Sequence, residues 1–486
     1  KECSDIGKEV LKDGGNAVDA AIALLCQGVV EPYFCGIGGG FFMTIYNQST
    51  KSSTIIDARE TAPSNATWDM FDTHSSTSGG LSVAVPGELK GYSYAYKKYG
   101  GGVPWSRLFV PAIEKARNGF AVSSEFATKL QEDKSSILKH SGLCDLYCNQ
   151  ARDEVKSEGE VVKNAKLADT LETVKNHGAE AFYTSPLVDA FVHDINFNGG
   201  EVSAADFANY KVKERTPLKV ALANSGLTLI VPPLPSGGPI LSIIMLVMDS
   251  YNINPQLFKS NNSLYWHRTV ESFKHAFGHA AHFGDPDFAR NANQAVTDTL
   301  SQSGILNITR KVLDDRTFTD TIYYGAAEHN SNTHTSSTSH LSVLSPDGDA
   351  VSVTSTINYH FGSFVFSSST GVLFNNEMGD FTTPGMGANM VEAGKRPQSS
   401  MSPCVLVDST TNEVVYIFGA AGGKHIPTAV AISLLELLYF GTSDFDEAIR
   451  QPRLHNQLFP DVINYEADFK ESVLDDLRAL GHNVRM

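Results

Sequence analysis

Residues 334–358 read HTSSTSHLSVLSPDGDAVSVTSTIN, a segment with hydroxyl side chains at both ends and a turn signal in its middle. The runs HLSVLS at 340–345 and AVSVTST at 350–356 alternate as β-strands do. ProAspGlyAsp at 346–349 supplies the residues that a tight hairpin turn uses. The segment therefore predicts a β-hairpin whose open end carries many hydroxyl groups.

The open end of this hairpin brings distant residues together. Folding about the turn places Ser339 near Thr356 and Thr338 near Ile357, give or take one residue for a bulge. The hydroxyls of Thr338 and Thr356 are then close. The polar stretch 329–337 just upstream is typical of an exposed loop that is suited to cleavage. A Thr/Ser-rich hairpin taken alone usually has no chemical role, so function has to be argued from the rest of the chain.

The composition is that of an ordinary globular protein, with 486 residues of which 42% are hydrophobic and 19% are charged. The net charge of −16 argues against nucleic acid as a partner, because phosphate binding needs clustered Lys and Arg. The most apolar segment, 239–248, is about half the roughly 20 residues of a membrane-spanning helix, so we expect a buried helix there. No signal peptide or anchor is recognisable, although one could have been trimmed before Lys1.

Cysteines and glycosylation sequons bear on the compartment. The six cysteines decide little alone, and Cys35 and Cys404 lie in apolar or Gly-rich surroundings that are typical of buried thiols. Four N-glycosylation acceptor sequons are present, at Asn47, Asn65, Asn261 and Asn307. Sequons also arise by chance, but together with plausible disulfides they favour an extracellular location.

Two motifs raise other hypotheses that their context does not support. The glycine-rich stretch 36–40 resembles a nucleotide loop, but it lacks the Walker pattern and the flanking strand and helix, so a tight packing turn is expected. In the predicted helix that begins at 263, His275, His279 and His282 lie at i, i+4 and i+7 on one face, as zinc ligands do. No HExxH glutamate accompanies them, and one helix rarely supplies three ligands, so we predict a histidine-rich helix face and no metal site.

Many motifs of the chain, taken in order, resemble those of one family, the γ-glutamyltransferases or glutathione hydrolases. The second half carries TSHLSVLSPDGDAVSVTSTIN, LFNNEMGDF, SSMSP and GAAGG, which resemble the family's small subunit. The first half carries DGGNAVDAAIA, GIGGG, IIDARETAP, GLSVAVPGE, LPSGGP and FGDP, which resemble its large subunit. The resemblance covers almost the whole chain, and so many separate motifs in one order make it specific.

The resemblance implies an α/β (α+β) fold, a four-layer αββα sandwich of the N-terminal-nucleophile hydrolase type, that matures by cutting itself. The matching bond is Ser337–Thr338, and the cut leaves a large subunit, 1–337, and a small subunit, 338–486, that together form one structural domain. A threonine hydroxyl needs a base nearby, and the new α-amine of Thr338, with an ordinary pKa of about 7.7–8, can act as that base. Thr356 matches the residue that orients the nucleophile.

The resemblance also implies a donor pocket with two charged ends. The groups that match those gripping the donor α-carboxylate are Arg59, Ser399 and Ser400. The groups that match those accepting the α-ammonium are Asn358, Glu377 and Asp380. The backbone amides that match the oxyanion hole belong to Gly422 and Gly423. Each has an ordinary alternative: a surface salt bridge for the arginine, a solvated turn for the two acids, a helix cap for the serines and a plain corner for the glycines.

The implied reaction is acyl transfer from glutathione or a related γ-glutamyl compound, through a γ-glutamyl-Thr338 intermediate, to water or to an amino acid or dipeptide. The implied assembly is a heterodimer of the chain's own two subunits, and no metal or organic cofactor is implied. The animal members are extracellular, and many carry an N-terminal membrane anchor upstream of the position that matches Lys1. Their disulfides match the pairs Cys3–Cys26 and Cys144–Cys148.

The sequence departs from the family at three places. His360 stands where vertebrate members have a tyrosine that lines the donor site, Gly379 replaces the first Asp of EMDDF, and the chain ends at Met486, where the family's small subunit usually continues. A non-catalytic secreted homologue that binds γ-glutamyl ligands stays as an alternative, although it would be expected to have lost part of the set around Thr338. A related amidase such as a β-lactam acylase is a second alternative, but it has little use for the arginine and the paired serines.

Overall fold

The computed structural model describes residues 2–326, 336–382 and 387–486. Its strands are β1 (Gly40–Asn47), β2 (Ser52–Ala58), β3 (Phe120–Ala121), β4 (Val161–Val162), β5 (Lys213–Arg215), β6 (Leu218–Leu222), β7 (Leu227–Val231), β8 (Ser336–Leu344), β9 (Ala350–Tyr359), β10 (Cys404–Asp408), β11 (Val414–Phe418), β12 (Leu454–His455), β13 (Ile463–Tyr465) and β14 (Val484–Arg485). Its α-helices are α1 (Glu2–Lys12), α2 (Ala17–Ala21), α3 (Leu24–Val30), α4 (Glu88–Tyr99), α5 (Trp105–Asn118), α6 (Ser124–Glu132), α7 (Lys134–Lys139), α8 (Ser141–Tyr147), α9 (Ala165–His177), α10 (Leu187–Phe197), α11 (Ala204–Asn209), α12 (Gly238–Asp249), α13 (Pro255–Ser260), α14 (Asn262–Ala280), α15 (Ala292–Leu300), α16 (Gln302–Lys311), α17 (His425–Leu435), α18 (Phe445–Arg450) and α19 (Glu471–Ala479). Shorter helical turns are Gly80–Ser82, Ala179–Phe182, Thr321–Tyr324, Glu377–Asp380 and Glu436–Phe440.

The chain divides into two compact units. The first comprises Lys1–Arg215, Thr335–Gly385 and Met390–Pro397, and the second comprises Thr216–His334, Met386–Asn389 and Gln398–Met486. Each unit takes segments from both sides of the Ser337–Thr338 bond, so neither of the two expected fragments supplies a unit alone. That fragments 1–337 and 338–486 form one structural domain stays a prediction.

The first unit is built on an antiparallel sheet with the strand order β5-β2-β1-β9-β8. The hairpin predicted within 334–358 is β8 and β9, and every residue of β9 except the last is buried. Helices α2 and α4 pack on this sheet. Side chains such as Phe41, Tyr92 and Val353 belong to the hydrophobic core of this unit, which therefore packs against the hairpin.

The second unit has its own antiparallel sheet, with the strand order β11-β10-β7-β6. The apolar segment predicted as a buried helix is α12, and eleven of its residues are buried. This helix is apolar all round because it packs on β6, β7, α14 and α17. The second core, which includes Ile244, Phe273 and Leu406, lies within this unit.

Both units place helices beside antiparallel sheets, so the α/β (α+β) prediction is confirmed. Strand β1 follows the glycine-rich turn, and the segment from Ala17 to Val30 contains two short helices, α2 and α3. Asn16 caps α2, since its side chain accepts from the amides of Val18 and Asp19, both at 3.0 Å. Among the residues that the structure describes, no helix is long and apolar enough to cross a bilayer.

The glycine-rich turn before β1 is a packing device, as expected, and not a phosphate cradle. A Cβ atom built on Gly38 would lie 2.0 Å from the carbonyl oxygen of Leu373, and one built on Gly39 would lie 2.0 Å from that of Thr356. Only glycine allows such an approach of two backbones. The turn thereby fixes β1 against the strand that carries Thr356.

Candidate active site

Thr338 and Thr356 meet at a β-bulge in the hairpin. The pairing runs from Leu344 opposite Ala350 to Ser339 opposite Ser355, then shifts by one residue so that Ser337 lies opposite Asn358. The prediction for the pairing is correct within the one residue allowed for a bulge. A bulge re-aims side chains, and this one leaves Thr338 facing the extra residue of β9.

The hydroxyls of Thr338 and Thr356 both point at the carbonyl of Ser337. Thr338 Oγ1 and Thr356 Oγ1 each lie 2.6 Å from this carbonyl oxygen and 3.4 Å from one another. All three residues are buried. Thr356 Oγ1 also accepts the amide hydrogen of Asn358 at 2.8 Å, which fixes its own hydrogen toward the Ser337 carbonyl. A nucleophile, a polarising donor and a carbonyl therefore lie together at the bond predicted to be cut.

The Ser337 side chain holds the same bond from the other side. Its hydroxyl donates to the carbonyl of Tyr33 at 2.9 Å and to that of Asn358 at 3.1 Å. Asn358 has a φ of 73°, in the left-handed region that asparagine tolerates better than most residues. Its carboxamide donates to the carbonyl of Asn376 at 3.1 Å. The end of β9 that lies opposite Ser337 is thus buried and strained at Asn358.

Arg59, at the end of β2, is fully buried among acidic groups, so the alternative of a surface salt bridge is wrong. Its Nη1 bonds to Glu377, its Nη2 donates to Asp380 Oδ2 at 2.6 Å, and its Nε donates to the Pro397 carbonyl at 3.1 Å. Burial lowers the pKa of a guanidinium, but here the neighbouring carboxylates outweigh it and raise the pKa of Arg59.

Glu377 is also fully buried, so the solvated acidic turn is wrong as well. Burial raises its pKa to about 8, against the lowering effect of Arg59. A third carboxyl, Glu60, lies 3.5 Å from Arg59 Nη1, is fully buried, and has neither oxygen hydrogen-bonded within the described residues. One guanidinium among three carboxyls places a cationic fork beside carboxyl oxygens, a set of groups that suits the two ends of an amino acid.

The remaining predicted groups belong to the second unit. Ser399 is buried, its amide donates to the Pro235 carbonyl at 2.7 Å, and its hydroxyl accepts from the Met401 amide at 3.2 Å. No helix starts at Ser399–Ser400, so these serines are not a helix cap.

Gly422 and Gly423 have φ values of 113° and 58° and lie directly before α17. Their positive φ values turn the chain into a nest-like corner, a conformation that glycine favours. Within the described parts of the chain, neither amide hydrogen has a protein partner. Two unengaged amides at such a corner are what an oxyanion hole requires.

The two substituted positions, His360 and Gly379, lie in the first unit. A Cβ atom on Gly379 would lie 3.0 Å from the Ser76 carbonyl oxygen and 3.3 Å from Thr77 Cγ2, so the glycine is matched to a closely packed loop. His360 Nδ1 lies 3.6 Å from Asp133 Oδ2, and its ring packs 5.9 Å from that of Phe34.

Among the described residues, His275, His279 and His282 do not form a ligand set, and His282 lies beyond the end of α14 at Ala280. His275 is buried against the ring of Tyr324, His279 lies 3.3 Å from the Thr299 hydroxyl, and His282 contacts the Gly325 carbonyl. Burial lowers the pKa of His275 to about 3. These contacts are those of a packed helix face.

A different group, His267, Glu271 and His482, brings ligand atoms within 4.8 Å of one another in the described residues. The two histidines bond to each other at 2.8 Å, and Glu271 accepts from the Thr317 and Tyr324 hydroxyls. Burial, His267 and the nearby Lys274 lower the pKa of His482 to about 2. A neighbouring ammonium group and mutual hydrogen bonds favour a buried polar network over a cation site.

Both predicted disulfides, Cys3–Cys26 and Cys144–Cys148, are formed, and Cys35 and Cys404 are buried free thiols as expected. Three of the four sequon asparagines are exposed, namely Asn65, Asn261 and Asn307. Asn47 is half-buried, and its amide nitrogen donates to Asp349 Oδ2 at 3.0 Å.

The sequence model of the gamma-glutamyltranspeptidase family matches residues 3–486. The chain belongs to the γ-glutamyltranspeptidase family. It is 40% identical to Scoloptoxin SSD14 of Scolopendra dehaani over 99% of this chain and 85% of that protein. It is 37% identical to Glutathione hydrolase 2 of Arabidopsis thaliana over 96% of this chain and 80% of that protein. It is 36% identical to the Glutathione hydrolase 5 proenzyme of Rattus norvegicus over 99% and 85%.

Solved structures show the fold of this family member. A cephalosporin acylase from Bacillus halodurans matches with a TM-score of 0.85 over 100% of this chain and 87% of that chain, at 20% sequence identity, which shows the fold alone. The γ-glutamyltranspeptidase of Helicobacter pylori matches with a TM-score of 0.61 at 31% identity, over 65% of this chain and 90% of that chain. The predicted family and the N-terminal-nucleophile hydrolase fold are both confirmed.

Sequence reasoning missed several groups around the nucleophile of this family member. Glu60 follows Arg59 directly, and only its burial beside the guanidinium reveals it. The Tyr33 carbonyl that holds Ser337 comes from a loop with no motif of its own. Glu88 is the last residue of the motif GLSVAVPGE, but the motif does not indicate that its carboxyl is buried against the hairpin.

Proposed function

We propose that this protein is a γ-glutamyl hydrolase and transpeptidase that matures by cutting itself at Ser337–Thr338. The observation that carries the proposal is the convergence of the Thr338 and Thr356 hydroxyls on the Ser337 carbonyl, each at 2.6 Å. The family membership and the buried arginine among carboxyls in the same unit support it. The word proenzyme in the name of the rat relative agrees with a processed chain.

Self-cleavage begins with attack of Thr338 Oγ1 on the carbonyl carbon of Ser337. The hydroxyl proton passes to the leaving nitrogen of Thr338, the peptide C–N bond breaks, and an ester joins Ser337 to Thr338 Oγ1. Water then hydrolyses this ester and leaves a carboxyl group on Ser337 and a free α-amine on Thr338. Thr356 assists the first step because its hydroxyl donates to the carbonyl oxygen on which negative charge develops.

The mature enzyme repeats this chemistry on a donor. The α-amine of Thr338 takes the proton of its own hydroxyl, and Oγ1 attacks the γ-amide carbonyl of glutathione or a related compound. The amides of Gly422 and Gly423 stabilise the oxyanion, the amine product leaves with the proton, and a γ-glutamyl ester remains on Thr338. Water or the amino group of an amino acid or dipeptide then takes the acyl group.

Donor selection follows from the charges of the site. Arg59, Ser399 and Ser400 bind the α-carboxylate, and the guanidinium fork suits its two oxygens. The groups that bind the α-ammonium are Asn358, Glu377 and Asp380. A β-lactam acylase is not favoured, because relatives 36–37% identical to this chain are named glutathione hydrolases, whereas the cephalosporin acylase is 20% identical and shows the fold alone.

The proposed setting is extracellular, with the large and small fragments remaining together as a heterodimer. Two disulfides support it, since such bonds persist in oxidising compartments. Exposed Asn65, Asn261 and Asn307 are the expected glycan sites, whereas Asn47 is half-buried and engaged, so low occupancy is expected there. Glycopeptide mass spectrometry on secreted protein checks this order. The residues assigned to the reaction need no metal or organic cofactor.

The test is intact mass under denaturing and reducing conditions for wild type and Thr338→Ala, each also incubated with a γ-glutamyl anilide. We expect two fragments beginning at Lys1 and Thr338 and anilide release from wild type, and an uncut, inactive chain from the variant. A wild-type chain that stays whole and releases nothing would overturn the proposal in favour of a non-catalytic homologue.

A further inference from the structure

Glu88 is a buried carboxyl behind the nucleophile hairpin to which the proposed reaction gives no role. It is the first residue of α4 and is fully buried. Both of its oxygens are engaged: Tyr92 donates to Oε1 at 3.0 Å, and Ser355 donates to Oε2 at 2.7 Å. Ser355 immediately precedes Thr356 on β9, so this carboxyl is one residue away from the hydroxyl that polarises the Ser337 carbonyl.

The start of α4 is tied to the same point of the sheet through its backbone. The amides of Gly87 and Glu88 both donate to the carbonyl of Gly39, at 2.9 and 3.1 Å. Gly39 in turn packs so closely on the Thr356 carbonyl that no Cβ atom fits between them. Side chain and backbone therefore fix one short stretch of β9 to the helix behind it.

Neighbouring residues of a strand point to opposite faces of a sheet. Ser355 reaches the helix side, where Glu88 lies, whereas Thr356 reaches the Ser337 carbonyl on the other side. A hydrogen bond that fixes the position of the Ser355 side chain therefore also fixes the backbone from which the Thr356 side chain projects. We propose that Glu88 is a positioning residue for the Ser337–Thr338 cut, holding β9 through Ser355 so that Thr356 Oγ1 meets the scissile carbonyl.

A carboxyl at this buried position has a cost in folding free energy, which suggests that its hydrogen bonds have a specific role. Burial raises the pKa of Glu88 to about 7, while the hydrogen bonds from Ser355 and Tyr92 lower it. An apolar side chain or an amide would fill the site without this cost. The ionised carboxyl accepts from both hydroxyls at once, whereas the protonated form must donate to one of them and turn that hydroxyl away.

The titratable groups around Glu88 come from every element packed near it. They are Tyr92 on its own helix, Cys35 before β1, Glu60 after β2, and Tyr183 after the helical turn Ala179–Phe182. The pKa of each is raised chiefly by burial, so the two tyrosines and the thiol stay neutral around pH 7. Ser339, next to the nucleophile, hydrogen-bonds to Cys35 in the same buried layer.

The inference rests on the proposed self-cleavage, and the rate of that step can be measured directly. Before the cut Thr338 has no free α-amine, so the pH dependence of the first cleavage is not affected by that group. Precursor made by cell-free synthesis is shifted to a series of pH values on both sides of 7, and the first-order rate of cleavage is followed by gel and intact mass. The variants are Glu88→Gln and Ser355→Ala.

Glu271→Gln is the matched control. Glu271 is also a fully buried glutamate that accepts from a tyrosine and a threonine hydroxyl, but it lies in the second unit. For wild type and this control we expect a cleavage rate that rises through about pH 7 and then levels off. For Glu88→Gln and Ser355→Ala we expect the plateau to fall about tenfold or more, since misplacing reacting groups by about 1 Å can cost roughly a hundredfold. The rise near pH 7 should disappear in Glu88→Gln.

The mature enzymes add a second readout. Among the described residues, Glu88 acts on the groups around Arg59 only through the electrostatic effect on Glu60, so we expect kcat for a γ-glutamyl anilide to fall and KM to change little. Wild-type rates and an unchanged pH profile in Glu88→Gln would overturn the inference while leaving the proposed function intact. If Glu88→Gln lacks a cooperative thermal transition, Ser355→Ala decides, because it removes only one hydroxyl. An uncut wild-type chain would overturn the proposed function and this inference together.

Discussion

Replacing Thr356 by valine is the most direct test of how the Ser337–Thr338 bond is activated. Valine has nearly the shape of threonine, so the change removes one hydroxyl and little volume. The lost contacts are the donation to the Ser337 carbonyl at 2.6 Å and the acceptance from the Asn358 amide at 2.8 Å. The first acts on the reaction and the second on stability, and the two effects are measured separately.

The expected magnitudes follow from these two contacts. Removing one preorganised donor to a developing oxyanion costs roughly 2.7–4 kcal/mol, or about 10²–10³ in rate. Leaving the buried Asn358 amide without an acceptor costs about 1–3 kcal/mol of folding stability. We therefore expect Thr356→Val to fold with a lowered Tm and to cut itself at least about a hundredfold more slowly than wild type.

Thr356→Ser is the control, because it keeps the hydroxyl and loses one methyl group, worth about 0.8 kcal/mol of burial. The assay is a time course of cleavage after cell-free synthesis, read by intact mass, beside a thermal unfolding curve of each variant. If Thr356→Val is cut as fast as Thr356→Ser, the hydroxyl does not polarise the carbonyl and the reasoning is refuted.

Three further predictions concern the donor site and the buried acids. The Arg59→Lys variant should still cut itself, because Arg59 contacts neither Thr338 nor Ser337 in the described hydrogen bonds. Its KM for a γ-glutamyl anilide should rise about tenfold or more, since lysine keeps the charge and loses the guanidinium fork. An unchanged KM would contradict the role of Arg59 in donor binding. Gly379→Asp and Gly379→Ala should both lower the Tm, with a destabilisation of about 1–3 kcal/mol, because the added Cβ would lie 3.0 Å from the Ser76 carbonyl oxygen. Equal Tm values for wild type and the alanine variant would show that the loop containing Ser76 shifts to accommodate the added atom. Because the folded-state pKa of Glu88 is raised from 4.5 to about 7, its stabilising contribution is present below pH 4.5 and lost as pH rises through about 7. The unfolding free energy of wild type relative to Glu88→Gln should therefore fall by about 3 kcal/mol over that range in urea titrations, and a flat difference would show that Glu88 keeps its ordinary pKa.

The hairpin was predictable because its strands and turn are determined by residues that are close together in the sequence. Alternating side chains and one turn motif decide the strands, and a register can then be counted from the turn. The bulge at Thr338 was predictable only to within one residue, since its position depends on the segment that contains Tyr33 and on the left-handed Asn358. Burial of the apolar segment as α12 followed from its composition for the same local reason.

The acidic surroundings of Arg59 could not be predicted from spacing. Arg59 and Glu377 are separated by 318 positions, and only the family resemblance connects them. Glu60 and Glu88 lie within the motifs IIDARETAP and GLSVAVPGE, but the motifs do not indicate that their carboxyls are buried, because a glutamate after a strand or at the first turn of a helix is normally solvated. Their burial is a property of the assembled sheet and helices, and it is visible only in the structure.

The burial of Ser337 and Thr338, each 2% exposed, makes the cut a checkpoint on folding. The proposed cut would convert one neutral amide into a carboxylate on Ser337 and an α-amine on Thr338, and an unpaired carboxylate is costly to bury in such a place. We therefore expect the new end at Ser337 to move out to water, which would keep the two ends from rejoining. Each chain would then cleave its own Ser337–Thr338 bond once, and a chain that folds without aligning this bond would remain an inactive precursor.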